Sequence, residues 1–146
     1  MANKLRSLEY CLNGFLREVD KRSEVDPYTG FSDRNVVRRY NASYDRAAKH
    51  VQYIDEHYPD SIHKLIELLD YPNIRVVQLL APMLLRLNNT TVEHKEMALQ
   101  AIKRIIAAPE TDPLDRFGFQ CALPQWEKEL YGNKTEDHSP SQSPNP

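Results

Sequence analysis

The sequence predicts an all-α fold, and three observations support that fold class. Two apolar runs with helical spacing, 65–69 and 74–81, are separated only by the turn 70–73, which reads Asp-Tyr-Pro-Asn. The 146 residues include four glycines and ten prolines, a balance typical of helices joined at sharp corners. No Asn-Gly or Asp-Gly turn joins two alternating apolar runs, so the main signal for a β-hairpin is missing.

Two long apolar stripes predict the first two helices. Residues 3–20 place leucine, phenylalanine and valine on one face, and turn chemistry at 24–31 ends that helix. Ser32 is the predicted N-cap of the second helix, with an acidic residue following in its first turn. This helix runs to Tyr58, where Pro59 stops it, and it is expected to be the longest of the chain.

Three further helices are predicted at the centre of the chain. The third lies within 62–69, and the fourth, 74–87, is apolar on nearly every side, so we expect it to be the central core element. Pro82 lies inside the fourth helix and should kink it. A capping box at 90–93 opens the fifth helix, which ends before Pro109. Its expected core face consists of Met97, Ala98, Leu99, Ile102, Ile105 and Ile106.

The remaining chain predicts two short helices and a tail. Asp112-Pro113 starts a sixth helix, Pro124 starts a seventh, and Gly132 has the position of a C-cap glycine. The following residues hold three prolines and no large apolar side chain. These boundaries give one domain, 1–132, with its core at 33–108, and a disordered tail, 133–146.

Composition limits the class of protein. Hydrophobic residues make up 40% and charged residues 27%, which is ordinary for one soluble domain. No run approaches the roughly 18 apolar residues of a membrane span, and the charged N-terminus lacks the apolar core of a signal peptide. We therefore expect a cytoplasmic protein without membrane contact. Cys11 and Cys121 are then expected to be reduced thiols at buried helical positions.

Charge argues against a dedicated nucleic-acid binder. The net charge is -2, whereas such proteins usually carry a strongly basic face. The distribution is uneven, since residues 1–50 hold ten Lys/Arg against seven Asp/Glu and residues 51–146 hold nine against fourteen. A basic cluster lies on the predicted second helix: Arg34, Arg38, Arg39, Arg46 and Lys49.

Motifs for catalysis or metal binding are missing from the sequence. His50, His57 and His63 are separated by seven and six residues, which does not match the spacing of zinc ligands, so we expect surface histidines. Nucleophile elbows, glycine-rich phosphate loops and paired carboxylates are also lacking. We expect no enzyme, no metal and no small-molecule cofactor. Asn41 interrupts the apolar stripe of the second helix and either bonds a neighbouring helix end or contacts a ligand.

The segment 65–87 resembles the consensus turn of a HEAT-type helical repeat. It joins leucine-rich helices through an Asp turn, Pro-Asn and an Ile-Arg-Val-Val helix start. The resemblance implies a short right-handed array of six or seven helices, in which Asp70 and Arg75 bridge neighbouring units. More loosely, 35–107 is similar to small bacterial HEAT-like domains that include toxin-immunity proteins, and Asn41 and Asp45 fit that likeness.

Helical repeats mostly act by presenting a surface to a partner, so we expect a protein-interaction module. The specific hypothesis is a bacterial immunity protein that neutralises a cognate toxin, such as a secreted toxin domain, through the acidic second half. The expected contacts are Tyr53, Asp55, Glu56, Asp60, Asp70 and Tyr71. Two alternatives stay open: a HEAT-like nucleic-acid-binding or base-excision protein acting through the basic cluster, and a structural adaptor subunit with a self-complementary apolar face.

Overall fold

A computed structural model describes residues 5–24 and 33–142, with side chains described as far as residue 132. These residues form helices and no strand, which confirms the all-α class. The helices are α1 (Leu8–Ser23), α2 (Arg34–His57), α3 (His63–Glu67), α4 (Ile74–Leu84), α5 (Val92–Ala107) and α6 (Pro113–Gln142). Two 3₁₀ turns, Pro59–Ser61 and Leu68–Asp70, flank α3. The HEAT-like arrangement of the helices stays a prediction.

Side-chain caps fix where the helices begin. The side chains of Ser7, Asp33 and Asn73 accept hydrogen bonds from backbone N–H groups at the starts of α1, α2 and α4. Asp33 is therefore the N-cap of α2, whereas the predicted cap Ser32 lies outside the described residues. The capping box of α5 joins Thr91 to His94, one position later than predicted, and Nδ1 of the His94 ring is the acceptor in place of the predicted Glu side chain.

The predicted break at Pro124 is wrong, because α6 continues through it. One apolar stripe runs across the proline and packs against the core on both sides of it: Phe119, Leu123, Trp126 and Leu130. This packing offsets the roughly 3 kcal/mol that an interior proline costs. The helix also continues past Gly132, the expected C-cap, and is longer than α2. The domain boundary at 132 and the disordered tail 133–146 stay predictions.

The core forms where α2 packs on α1, and α5 on α4 and α6. α4 also contacts α1 and the second 3₁₀ turn, so the nearly all-apolar helix lies centrally. In addition to the predicted core segment, α1 contributes Cys11, Phe15 and Val19. Cys11 is buried as expected, but Cys121 is exposed, so the expectation of two buried thiols is half wrong. No helix in the described residues has both the length and the apolar character needed to cross a membrane.

A buried polar network joins α1 to α2. Ser43 donates to the backbone oxygen of Glu18 at 2.8 Å and to its Oε1 at 3.1 Å, while Nε of Arg46 lies 3.0 Å from the same Oε1. Burial alone would raise the pKa of Glu18, but the hydrogen bonds from Arg46 and Ser43, together with the charges of Arg46 and Lys21, outweigh burial and lower the pKa. The polar residue expected inside the α2 stripe was Asn41. That position is exposed, and Ser43 is the buried one.

Candidate partner-binding surface

Two adjoining cavities form a groove along α5, which we call the α5 groove. The cavities measure about 310 and 240 Å³ and share Leu69, Asp70 and Arg104. The apolar side chains lining the groove include Ile66, Leu69, Val77, Ala101 and Ile105, all of which are buried. The groove is therefore a depression with an apolar floor and polar or charged walls, between the second 3₁₀ turn, the start of α4 and one side of α5.

Local sequence explains why the depression exists. The 3₁₀ turn Leu68–Asp70 is followed by Tyr71 in an extended conformation and then by Pro72, which ends the helical run before Asn73 caps α4. This turn carries Asp70 and Tyr71 outwards. Opposite them, α5 presents Ala101, whose small side chain leaves space that a larger residue would fill.

The groove combines an acidic rim with exposed apolar side chains. Asp70, Glu96 and Glu110 line it with one cation, Arg104, so these charged residues sum to about -2 at neutral pH. Nη2 of Arg104 lies 4.0 Å from Oδ1 of Asp70, and both side chains are well exposed, so the pair contributes little to stability. Tyr71 is 40% exposed and Met97 is 49% exposed.

Arg104, Glu96 and Glu110 were not predicted as site residues, and Met97 was predicted to lie in the core. The prediction for Met97 is wrong because Met97 lies five residues, about 140° of helix rotation, from the buried Ile102. A stricter count of helical angles would have placed it at the edge of the core face. No local signal distinguishes the three charged residues from an ordinary solvated helix surface.

Of the six predicted contacts, only Asp70 and Tyr71 line the groove. Tyr53 is half-buried, and its hydroxyl accepts a hydrogen bond from the backbone N–H of Arg6 at 2.8 Å. The guanidinium of Arg6 also lies 5.6 Å from the centre of the Tyr53 ring, so Tyr53 holds the chain that enters α1. Glu56 and Asp60 are exposed near the end of α2. Contact of these residues with a partner stays a prediction.

Asp55 does not present its carboxylate to a partner. It is only 4% exposed, and its two oxygens accept the backbone N–H groups of Asn88 and Asn89, each at 2.9 Å. The side chain of Asn89 returns a hydrogen bond to the backbone oxygen of Asp55 at 2.8 Å. We therefore reassign Asp55 from partner contact to anchoring the α4–α5 loop on α2.

Asp70 and Arg75, the expected fasteners between helices, lie at two different places in the fold. Asp70 faces Arg104 of α5, whereas Arg75 lines a separate cleft of about 160 Å³ with Arg22 and Asp115. In that cleft, Nη1 of Arg22 donates to the backbone oxygen of Tyr40 at 2.6 Å. Burial and the nearby Asp112 raise the pKa of Asp115, and the two guanidinium groups partly counter this rise. The cleft is a charged junction between α1, α2, α4 and α6.

His50 was predicted to be a surface histidine, and this prediction is wrong. Its ring packs against Gly14 of α1, and its Nδ1 is buried without a hydrogen-bond partner among the described residues. Burial and the cations Arg6 and Arg17 lower its pKa, against a smaller opposing effect of Glu18. Within the described ranges, no group of three or more His, Cys, Asp or Glu side chains could hold a metal ion.

The members of the basic cluster on α2 have different surroundings in the structure. Arg46 is engaged by Glu18, while Arg34, Arg38, Arg39 and Lys49 are exposed. The exposed members could meet a phosphate backbone, but none of them lines a described cavity. The α5 groove is therefore the stronger candidate for a functional surface. Comparisons with protein families, with curated proteins and with solved structures found no match to the chain.

Proposed function

We propose that this protein is a binding module whose α5 groove receives an amphipathic helix of a partner protein. The observation that carries the proposal is the apolar groove with an acidic rim, flanked by the exposed side chains of Tyr71 and Met97. Aromatic and methionine side chains are enriched at protein interfaces because they bury large areas with adaptable packing.

The dimensions of the groove fit a helix. Its α5 wall extends from Glu96 to Ala101 and on to Ile105, and Glu110 closes its far end. The ten residues from Glu96 to Ile105 lie within α5 and span roughly 14 Å at the helical rise, about the length of a bound helix of ten residues. Such a helix lays its apolar side into a groove through residues spaced by three, four and seven positions.

The charge of the rim specifies the chemistry of the bound helix. Asp70, Glu96 and Glu110 would repel acidic side chains and attract Lys or Arg that flank an apolar face. Arg104 lies between them and offers one site for a partner carboxylate. We therefore infer that the partner helix has an apolar face and a net positive charge.

The proposal extends to the biological role. The resemblance to HEAT-like immunity proteins supports a bacterial toxin domain as the partner, neutralised because binding covers the surface the toxin needs. Such a role requires neither catalysis nor a cofactor, and it places the protein in the cytoplasm where a toxin acts on the producing cell.

Capture of the partner tests the proposal. The tagged chain is expressed in its native host, the captured protein is identified by mass spectrometry, and its binding to the purified chain is measured by calorimetry. Met97→Asp with Glu110→Lys should weaken binding at least a hundredfold, since a buried apolar contact and an attractive charge are both replaced. The matched charge reversal Asp45→Lys, at an exposed site on α2, should leave affinity within threefold.

Equal binding by the Met97→Asp/Glu110→Lys variant and the wild-type chain would refute the α5 groove as the binding site. Failure to capture any protein would refute the proposal that the chain is a binding module. Co-expression in a heterologous host tests the role separately. The captured protein should be toxic alone and harmless with the wild-type chain, while the groove variant should fail to protect.

A further inference from the structure

The α5 groove consists of two cavities with a pair of charged side chains at their boundary. Cavity A, of about 240 Å³, and cavity B, of about 310 Å³, share Leu69, Asp70 and Arg104. Leu69 is buried, whereas the side chains of Asp70 and Arg104 are 89% and 59% exposed. The two cavities therefore meet at a solvated aspartate and a solvated arginine rather than at an apolar surface.

Each cavity has one large exposed apolar side chain of its own. Met97 lines cavity A and not cavity B, whereas Tyr71 lines cavity B and not cavity A. Exposed side chains of this size contribute most to binding when a partner covers them. The groove thus offers two separate apolar contacts, with Asp70 and Arg104 between them.

The α5 residues that line the cavities set the distance between these contacts. Apart from the shared Arg104, cavity A is lined by α5 residues within 96–100, and cavity B by residues within 101–108. The centres of the two ranges are about seven residues apart, which is two helical turns or roughly 10 Å. Helical side chains lean towards the helix N-terminus, so the guanidinium of Arg104 is expected near the middle of this interval.

We propose that the partner helix inserts two large apolar side chains spaced seven positions apart, one into each cavity, and carries a polar residue between them. This inference rests on the proposed function and specifies the sequence that the α5 groove selects. Residues seven positions apart lie on one face of a helix, two turns and roughly 10 Å apart, which matches the spacing of the cavities.

The boundary between the cavities determines which residue fits between the two apolar side chains. Positions three and four after the first apolar residue lie on the same face of the partner helix and therefore meet Asp70 and Arg104. A leucine there would remove water from both charges without offering a hydrogen bond. A glutamate would instead accept hydrogen bonds from the guanidinium of Arg104, while Asp70 attracts a flanking lysine. The groove therefore disfavours a continuous apolar stripe.

Fluorescence anisotropy with designed peptides tests the proposal on the full chain. The probe is a labelled alanine-rich peptide of about 18 residues, long enough to form a helix, with flanking lysines. It carries leucine at two positions seven apart and glutamate at the fourth position after the first leucine. We expect a dissociation constant on the order of 10–100 µM.

Two altered peptides test the spacing and the polar residue. Exchanging the second leucine with the glutamate keeps the composition but spaces the leucines by four, and it should weaken binding at least tenfold because one cavity loses its leucine. Replacing the glutamate by leucine should weaken binding at least threefold. An undivided apolar groove would bind that second peptide more tightly than the probe, so the two interpretations predict opposite changes.

Double-mutant cycles assign each leucine of the probe to one cavity. Met97→Ala and Tyr71→Ala truncate exposed side chains, so circular dichroism should show unchanged helix content. One leucine-to-alanine change in the probe should cost at least threefold less affinity in Met97→Ala than in the wild-type chain, and the other should do so in Tyr71→Ala. Val92→Ala is the matched control, since Val92 is 46% exposed on α5 and lines neither cavity. It should leave affinity within about twofold.

Three results would overturn the two-cavity recognition: equal affinity for leucines spaced by four and by seven, tighter binding when leucine replaces the glutamate, or no binding of any peptide. These results leave the proposed function standing, because it depends on a captured partner whose binding requires Met97 and Glu110. A captured partner that ignores the Met97→Asp/Glu110→Lys change would refute the groove itself, so the two failures are distinguishable.

Discussion

Replacement of Asp55 tests whether this residue serves the fold or a partner. Asp55→Ala removes both oxygens that accept the backbone N–H groups of Asn88 and Asn89. The variant also removes any carboxylate that a partner could contact, so stability and binding must be measured separately.

The expected loss in the free energy of unfolding follows from the hydrogen bonds that Asp55→Ala removes. Each bond from a backbone N–H to a buried carboxylate contributes about 1.5–3 kcal/mol, and the loop that carries Asn88 and Asn89 lets water replace part of each bond. We therefore expect Asp55→Ala to lower the free energy of unfolding by about 3 kcal/mol. Asp55→Asn keeps one acceptor oxygen but turns an N–H donor towards the second backbone N–H, so it should cost about 2 kcal/mol.

Urea unfolding followed by circular dichroism measures the effect. With a slope of about 1.5 kcal/mol per molar urea, Asp55→Ala should lower the midpoint by roughly 2 M. The neighbouring Glu56→Ala is the matched control. Its side chain is 74% exposed, so the change in stability should stay within about 0.5 kcal/mol. The reasoning fails if Asp55→Ala unfolds at the same urea concentration as the wild-type chain.

Two further predictions concern the contact between α1 and α2. Gly14→Ala would place a Cβ atom 2.5 Å from Nε2 of His50, so the ring must shift, and we expect a loss of about 1–3 kcal/mol in urea unfolding that His50→Ala in the same chain largely reverses. Without that reversal, the steric explanation is wrong. His50 also titrates: because burial lowers its pKa in the folded chain, the unfolded chain binds the proton more readily, and stability should fall as the pH drops from about 7.5 to 5. His50→Gln should show a shallower decline over this range, and an identical decline would exclude His50 as its source.

The helices could be predicted because their signals are local. The starts of α4 and α5 are set by Asn73 and Thr91, whose side chains cap backbone groups two or three residues away. Apolar spacing fixed most of the buried positions by the same short-range logic. The predicted break at Pro124 was wrong because the rule that proline ends a helix is local, whereas the helix is held by packing against the core on both sides of the proline.

The candidate site could not be predicted to the same extent, because its geometry depends on contacts between distant residues. Asp55 bonds a loop 33 and 34 positions away, and nothing in the α2 sequence distinguishes it from the exposed Glu56. Asp70 meets Arg104 across 34 positions, and the resemblance to a repeat turn did not indicate which residue of a neighbouring helix it would face. For α6, apolar spacing alone defines two faces and cannot say which one the core buries.

α6 fastens the helix that forms the α5 groove. The hydroxyl of Tyr131 lies 3.3 Å from Oε2 of Glu96, and Nζ of Lys103 lies 3.2 Å from Oε2 of Glu127. The carboxylate of Glu96 lines the groove, so part of the acidic rim that would attract a basic partner helix is bonded to α6. The rim therefore depends on one long helix, because two short helices broken at Pro124 would not hold Tyr131 on the line of α6 that packs against α5.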